Sequence, residues 1–198
     1  MKKRIAFFDF DGTITTHDTL LEFIRFCKGS AGLYAGFLCK SPWIVAHKAK
    51  IISNQSAKEQ VLRFFFRGDT LASFDERCEA FSREALPRLI RPGALQEIAR
   101  LKSEGVTVVV VSASPENWIR QWAAAQGVEL IASRLEVVDG RLTGRIAGRN
   151  CNGEEKVRRI LERHTVKDYS EVYAYGDTGG DRPMLQLATQ AFYRPFRK

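Results

Sequence analysis

The sequence predicts an α/β fold: a doubly wound, mainly parallel sheet carrying an inserted helical cap. Three observations predict it. Short continuous apolar runs end abruptly in polar residues, helical periodicity separates them, and one long stretch without strand signals lies between the first run and the second. Runs without alternation suit strands covered on both faces, as in parallel sheets. Strand–helix alternation implies right-handed crossovers.

The first strand is Ile5-Ala6-Phe7-Phe8, ending at Asp9. The β-branched run Val106-Thr107-Val108-Val109-Val110-Val111 ends at Ser112, and Val172-Tyr173-Ala174-Tyr175 ends at Gly176-Asp177. Four helices belong with these strands. Ala94 to Ser103 follows Pro92-Gly93 and stops at Gly105, and Glu116 to Gln126 follows Pro115 and stops at Gly127. Gly153 to His164 carries Val157, Ile160 and Leu161 at helical spacing, and Asp181 to Ala188 has Pro183 early. Leu135 to Thr143 reads as a β-hairpin around Asp139-Gly140. The stretch between His17 and Ile90 is helix-like and aromatic, with Phe23, Phe26, Tyr34, Phe37, Trp43, Phe64, Phe65, Phe66, Phe74 and Phe81. The expected division is therefore a core of residues 1–16 and 91–198 with a helical cap over 17–90.

The 198 residues suffice for one core with a modest insertion, and the composition is that of an ordinary globular protein. The apolar run after Met1-Lys2-Lys3-Arg4 is too short for a signal peptide, and charges interrupt the segment from Ala31 to Ile52, so a cytoplasmic location is expected. Cys27, Cys39, Cys78 and Cys151 form no CxxC pair and read as reduced structural thiols. A net charge of +8 favours anionic partners, yet no dense basic block marks a dedicated nucleic-acid interface. Lys2-Lys3-Arg4, Arg158-Arg159 and Arg194 to Lys198 read as solvated patches that attract phosphate mildly.

In open α/β sheets ligands bind beyond the carboxyl ends of the strands. Three strands end there in Asp9, Ser112 and Asp177. In Asp9-Phe10-Asp11-Gly12-Thr13 two carboxylates one residue apart can face one cavity, with Gly12 allowing a sharp turn. Phosphoryl transfer needs a nucleophile in line and a proton donor for the leaving oxygen. Asp9 suits the first role, forming an aspartyl-phosphate, and Asp11 the second. Asp177, in Gly176-Asp177-Thr178-Gly179-Gly180-Asp181, can join Asp9 around a hard divalent cation; Asp181 stands one shell out or caps the next helix. Ser112-Ala113-Ser114-Pro115 makes a phosphate cradle at a helix N-terminus, with Ser112 as the direct contact and Ser114 as the N-cap. Lys156 would neutralise charge on Asp9 and on the transferring group. His17, Asp18, Glu22 and Arg25 are candidate pocket residues.

These four elements, in this order, resemble the motifs of the haloacid dehalogenase superfamily of phosphatases, from Arg4 to about Tyr193. The SASPE-type and CNGEEK-type motifs are similar to those of the branch containing phosphoserine phosphatase, which carries a helical cap after the first motif. The resemblance implies Mg²⁺ held by Asp9, Asp177 and the backbone carbonyl of Asp11. It implies phosphate held by Gly12, Ser112, Ala113 and Lys156, and a small phosphorylated substrate. The aromatic cap also looks like that of C-type phosphatidylglycerophosphatases, so a lipid phosphate at a membrane surface is the alternative substrate. A phosphomutase would share the same aspartates, and a non-catalytic phosphate-binding protein would have to have lost one of these groups.

Overall fold

The computed structural model describes residues 3–48 and 53–197, without the side chains at 35 and 37–48. The expected contributions of Phe37, Cys39 and Trp43 lie outside the described side chains. Five strands form one parallel sheet in the order β3-β2-β1-β6-β7: β1 (Lys3–Phe8), β2 (Thr107–Pro115), β3 (Glu129–Ser133), β6 (Tyr169–Gly176) and β7 (Gln190–Tyr193). The hairpin strands β4 (Leu135–Val138) and β5 (Arg141–Ile146) pair antiparallel in a separate ribbon. This is the predicted doubly wound α/β fold.

The helices are α1 (Thr19–Lys48), α2 (Asn54–Phe66), α3 (Leu71–Glu84), α4 (Pro92–Ser103), α5 (Glu116–Gln126), α6 (Glu154–Arg163) and α7 (Arg182–Gln186). Strand β1 shows why both sheet faces must be covered. Ala6 and Phe8 point into a core shared with Ile98 and Leu101 of α4 and Trp118, Ile119 and Trp122 of α5. Ile5 and Phe7 point the other way, into a cluster with Ile160 of α6 and Met184 of α7. Each buried Ile, Leu, Phe or Met among these contributes roughly 1.5–3 kcal/mol. The Phe8 ring stacks on Tyr175 of β6 with centroids 4.1 Å apart, tying the two central strands together. Register pairs Phe8 with Val110 and with Tyr175, so β1, β2 and β6 reach the same rim.

The long helical stretch appears as α1, α2 and α3 between β1 and β2. Helix α1 breaks at Gly29, whose φ of 69° no other residue type adopts readily. Phe23 of α1 is the hub of this layer, contacting the rings of Phe66, Phe74 and Phe81 at 5.4 Å and stacking on Trp118 of α5 at 4.8 Å. Phe23, Phe66, Phe74 and Phe81 are thus a packed core joined to the sheet through Trp118, whereas Phe26, Tyr34 and Phe64 are exposed. Among the described residues, no helix is long and apolar enough to cross a membrane. Cys27, Cys78 and Cys151 are free thiols.

The hairpin falls within the stretch assigned to the core but lies on α2. Gly144 of β5 faces the helix backbone so closely that a Cβ there would meet Arg63 Cα at 2.5 Å. Glu59 of α2 accepts from the Ile146 N–H at 3.1 Å, and Gln55 accepts from the Asn150 N–H at 3.1 Å. With its φ of 77°, Gly144 is doubly constrained. Gly144→Ala should therefore lower stability by about 2–3 kcal/mol, read as a reduced midpoint in urea.

Candidate active site

The rim where β1, β2 and β6 end carries a cleft of about 370 Å³. It is lined by Asp9, Asp11, Gly12, Ala113, Lys156, Asp177 and Asp181, with Thr16, His17, Asp18, Asn54, Lys58, Asn152, Thr178 and Arg197 around them. Asp9 is placed by the last step of the sheet ladder, where its N–H donates to Tyr175 O at 2.9 Å. The chain then turns tightly through Phe10–Ile14, with Gly12 at φ 81°. A Cβ on Gly12 would stand 2.5 Å from Asp177 Oδ2, so the glycine lets the Asp177 carboxylate come close.

Lys156 comes from the first turn of α6 and is 1% exposed. Its ammonium donates to Asp9 Oδ1 at 2.5 Å, to Asp181 Oδ1 at 2.8 Å and to Val111 O at 2.7 Å. All three of its protons are therefore used. Asp181 is equally engaged: its Oδ2 accepts from the N–H groups of Asp177 and Thr178 at 3.1 and 2.9 Å and from Thr178 Oγ1 at 2.8 Å. Asp181 occupies the N-cap position of α7 but makes no side-chain capping bond to that helix; its side chain turns back to close the turn Gly179–Asp181 and stands beside Lys156 and Asp177.

Burial pushes the Asp9 carboxyl up to about 7, against the pull of Lys156. Burial opposes the charge on Lys156, but Asp9 and Asp181 outweigh it and hold the ammonium above its usual range. Burial likewise opposes ionisation of Asp181, yet Lys156 and the Thr178 donors hold it below the carboxylate norm. Asp177 is raised by burial and by Asp181, against Arg197.

One oxygen each from Asp9, Asp177 and Asp181 lie within 4.8 Å of one another, all three residues buried. Hard carboxylate oxygens in a cradle that only glycine leaves open fit Mg²⁺. Asp11 is placed differently. Its Oδ1 accepts from the Thr19 N–H at 2.7 Å and Thr19 Oγ1 at 2.6 Å, and its Oδ2 from Ser114 Oγ at 2.7 Å. Ser114 is thus an Asp11 partner, and Pro115 takes the N-cap position of α5. Ser112 is fully buried; its hydroxyl accepts from the Ser114 N–H at 3.0 Å and sits 3.4 Å from Asp11 Oδ2, leaving Ala113 to face the cleft. Of the candidate pocket residues, His17 and Asp18 line the cleft, whereas Glu22 and Arg25 pair with each other at 2.6 Å on α1.

Several site residues had no role in the sequence reading. Thr13 Oγ1, 3.2 Å from Asp9 Oδ2 and 3.3 Å from Asp177 Oδ1, sits inside the first motif and could have been noticed there. Thr19, Lys58 and Arg197 carry no local signal, because each enters the site only through packing of distant elements.

A family model described as haloacid dehalogenase-like hydrolase matches residues 6–186. The chain belongs to this family. Protein CicA of Caulobacter vibrioides is 34% identical over 192 residues, 96% of this chain and 85% of that protein. A phosphoserine phosphatase of Methanocaldococcus jannaschii is 29% identical over 195 residues, 94% of this chain and 83% of that protein. A solved structure of a protein of unknown function from Bordetella pertussis Tohama I superposes with a TM-score of 0.83 at 24% identity, covering 96% of this chain and 89% of that one. A substrate-bound phosphoserine phosphatase complex superposes at 0.70 with 18% identity, covering 98% and 86%. These likenesses to solved structures show the shared fold. Within this family of hydrolases the chain is a phosphatase.

Two outcomes follow from the site's charges. Lys156→Met leaves two buried carboxylates without their shared partner, and should destabilise the protein by about 3–5 kcal/mol in equilibrium denaturation. Because Asp9 binds a proton up to about pH 7, a cation must displace it. Calorimetry in buffers of different ionisation enthalpy should show proton release on Mg²⁺ binding at about pH 6, with affinity falling as pH drops further.

Proposed function

We propose that this chain is a Mg²⁺-dependent phosphomonoester hydrolase that acts on a small organic phosphate through an aspartyl-phosphate on Asp9. The observation that carries this reading is the buried constellation in which Asp9 is bridged by Lys156 at 2.5 Å and shares a ligand cluster with Asp177 and Asp181.

In the proposed reaction a carboxylate oxygen of Asp9 attacks phosphorus as the bond to the ester oxygen breaks. Lys156 pulls Asp9 toward ionisation against burial, which still holds its carboxyl up at about 7, and offsets charge gathering on the phosphoryl oxygens. Asp11 donates a proton to the departing alkoxide, then accepts one from the water that cleaves the acyl-phosphate, restoring Asp9 and releasing phosphate. To reach the leaving oxygen, Asp11 gives up donors from Thr19, the first residue of α1. Bound Mg²⁺, held by Asp9, Asp177 and the Asp11 carbonyl, would polarise the phosphoryl group and relieve its repulsion from the carboxylates. Gly12, Ala113 and the Ser112 turn shape the phosphate end of the cleft.

In the same reading, residues 17–90 form a cap over the core of 1–16 and 91–198. Lys58 of α2 supports it by reaching across to Ala113 O at 3.0 Å, beside the phosphate end. Asn54, Lys58, His17 and Asp18 would then face the organic part of the substrate.

The direct test is release of inorganic phosphate from p-nitrophenyl phosphate with and without Mg²⁺. Asp9→Asn should lower kcat by at least about 10⁴-fold while the protein keeps its fold, since no other group replaces the nucleophile. Sustained turnover by that variant would reject the mechanism.

A further inference from the structure

The cleft contains a cation that the proposed reaction leaves without a role. Its lining includes the carboxylates of Asp9, Asp11, Asp18, Asp177 and Asp181 and the cations Lys58, Lys156 and Arg197. Lys156 is spent on Asp9 and Asp181, and Lys58 on Ala113 O. Arg197 instead places Nη2 2.5 Å from Asp177 Oδ2, the carboxylate assigned to Mg²⁺.

The tail that delivers Arg197 is fastened along its length. The Arg194 N–H donates to Gly176 O at 2.7 Å, and its Nε reaches Asp177 O at 3.4 Å. The Phe196 ring lies parallel to Phe8 and Tyr175, with centroids 6.5 and 5.8 Å away. Arg91 Nη1 donates to Phe196 O at 3.3 Å. Arg194 and Phe196 both take positive φ, 53° and 64°, which residues with a side chain keep only where their surroundings hold them. The double turn brings position 197 back over the rim of the sheet.

A guanidinium in contact with a cation ligand opposes the cation and favours a dianion, because charge interactions at a few ångströms are strong in a partly desolvated cleft. We propose that Arg197 couples the two ligands of this site: it weakens Mg²⁺ binding in the free cleft, strengthens phosphate binding, and so makes cation and phosphate bind synergistically. This inference rests on the phosphatase reading above. It assigns Arg197 as a positioning and charge-balancing residue, because its contact is with Asp177.

The test is calorimetric and needs no turnover. Mg²⁺ is titrated into the full chain alone, and inorganic phosphate is titrated with Mg²⁺ saturating, at low salt. Arg197→Gln should bind Mg²⁺ alone about tenfold more tightly and phosphate about tenfold more weakly, and both differences should shrink with added salt. Arg197→Lys, which keeps the charge, should stay near the parent on both measurements. Phe196→Ala, which loosens the tail, should move toward Arg197→Gln. A folded Arg197→Gln protein with unchanged or weaker Mg²⁺ affinity overturns the coupling while leaving the phosphatase reading intact. A parent protein that binds no Mg²⁺ overturns both.

Discussion

The structure depends on one buried ammonium. Lys156 holds together three pieces of chain far apart in sequence: the end of β1 through Asp9, the middle of β2 through Val111 O, and the turn after β6 through Asp181. Carboxylates this deep would otherwise take up protons or repel one another, since desolvation penalises each charge. The ammonium is itself stable there only because both carboxylates surround it. The site and the sheet rim therefore assemble together, and neither the acids nor the base has a workable environment without the other.

That dependence explains which parts of the molecule were legible in the sequence. Strands β1, β2 and β6 are central and covered on both faces, so each needs a continuous apolar run, and each was readable. Strand β3 is a short run opening on exposed Glu129, and β7 is exposed along all four residues. Neither required the pattern that announces a buried strand, and neither was foreseen. Helix α5 was bounded correctly because Pro115 and Gly127 punctuate it, the latter in the left-handed conformation its capping role requires. The hairpin was visible from Asp139-Gly140, but its docking on α2 was not: Gly144 signals only that something comes close, not what.

The site divides along the same line. Asp9, Asp11 and Gly12 are neighbours in one motif, as are Asp177 and Asp181, so strand-end position and spacing suffice to propose them. Lys156 was legible only in the company of those motifs, because a helical lysine alone is ordinarily solvated. Arg197 belongs to a basic tail that composition reads as surface. Its place on Asp177 comes from stacking of Phe196 on Phe8 and Tyr175, a contact between residues that no local pattern links.

Asp11 shows how the helical layer bears on the chemistry proposed here. Its carboxylate is held by the first residue of α1, and Thr19 Oγ1 in turn accepts from Trp118 Nε1 at 3.0 Å. Trp118 is also the ring on which Phe23 stacks, and Phe23 is the hub of the aromatic core linking α1, α2 and α3. A shift of that core relative to α5 must alter the Trp118–Thr19 contact and with it the donors on Asp11. A carboxylate whose two oxygens are taken by Thr19 and Ser114 must turn from those donors before it can reach a leaving oxygen. The layer that would enclose the substrate is thus mechanically joined to the group that, in the proposed reaction, changes partners when the substrate arrives, and Thr19 is the joint, through both its N–H and its hydroxyl.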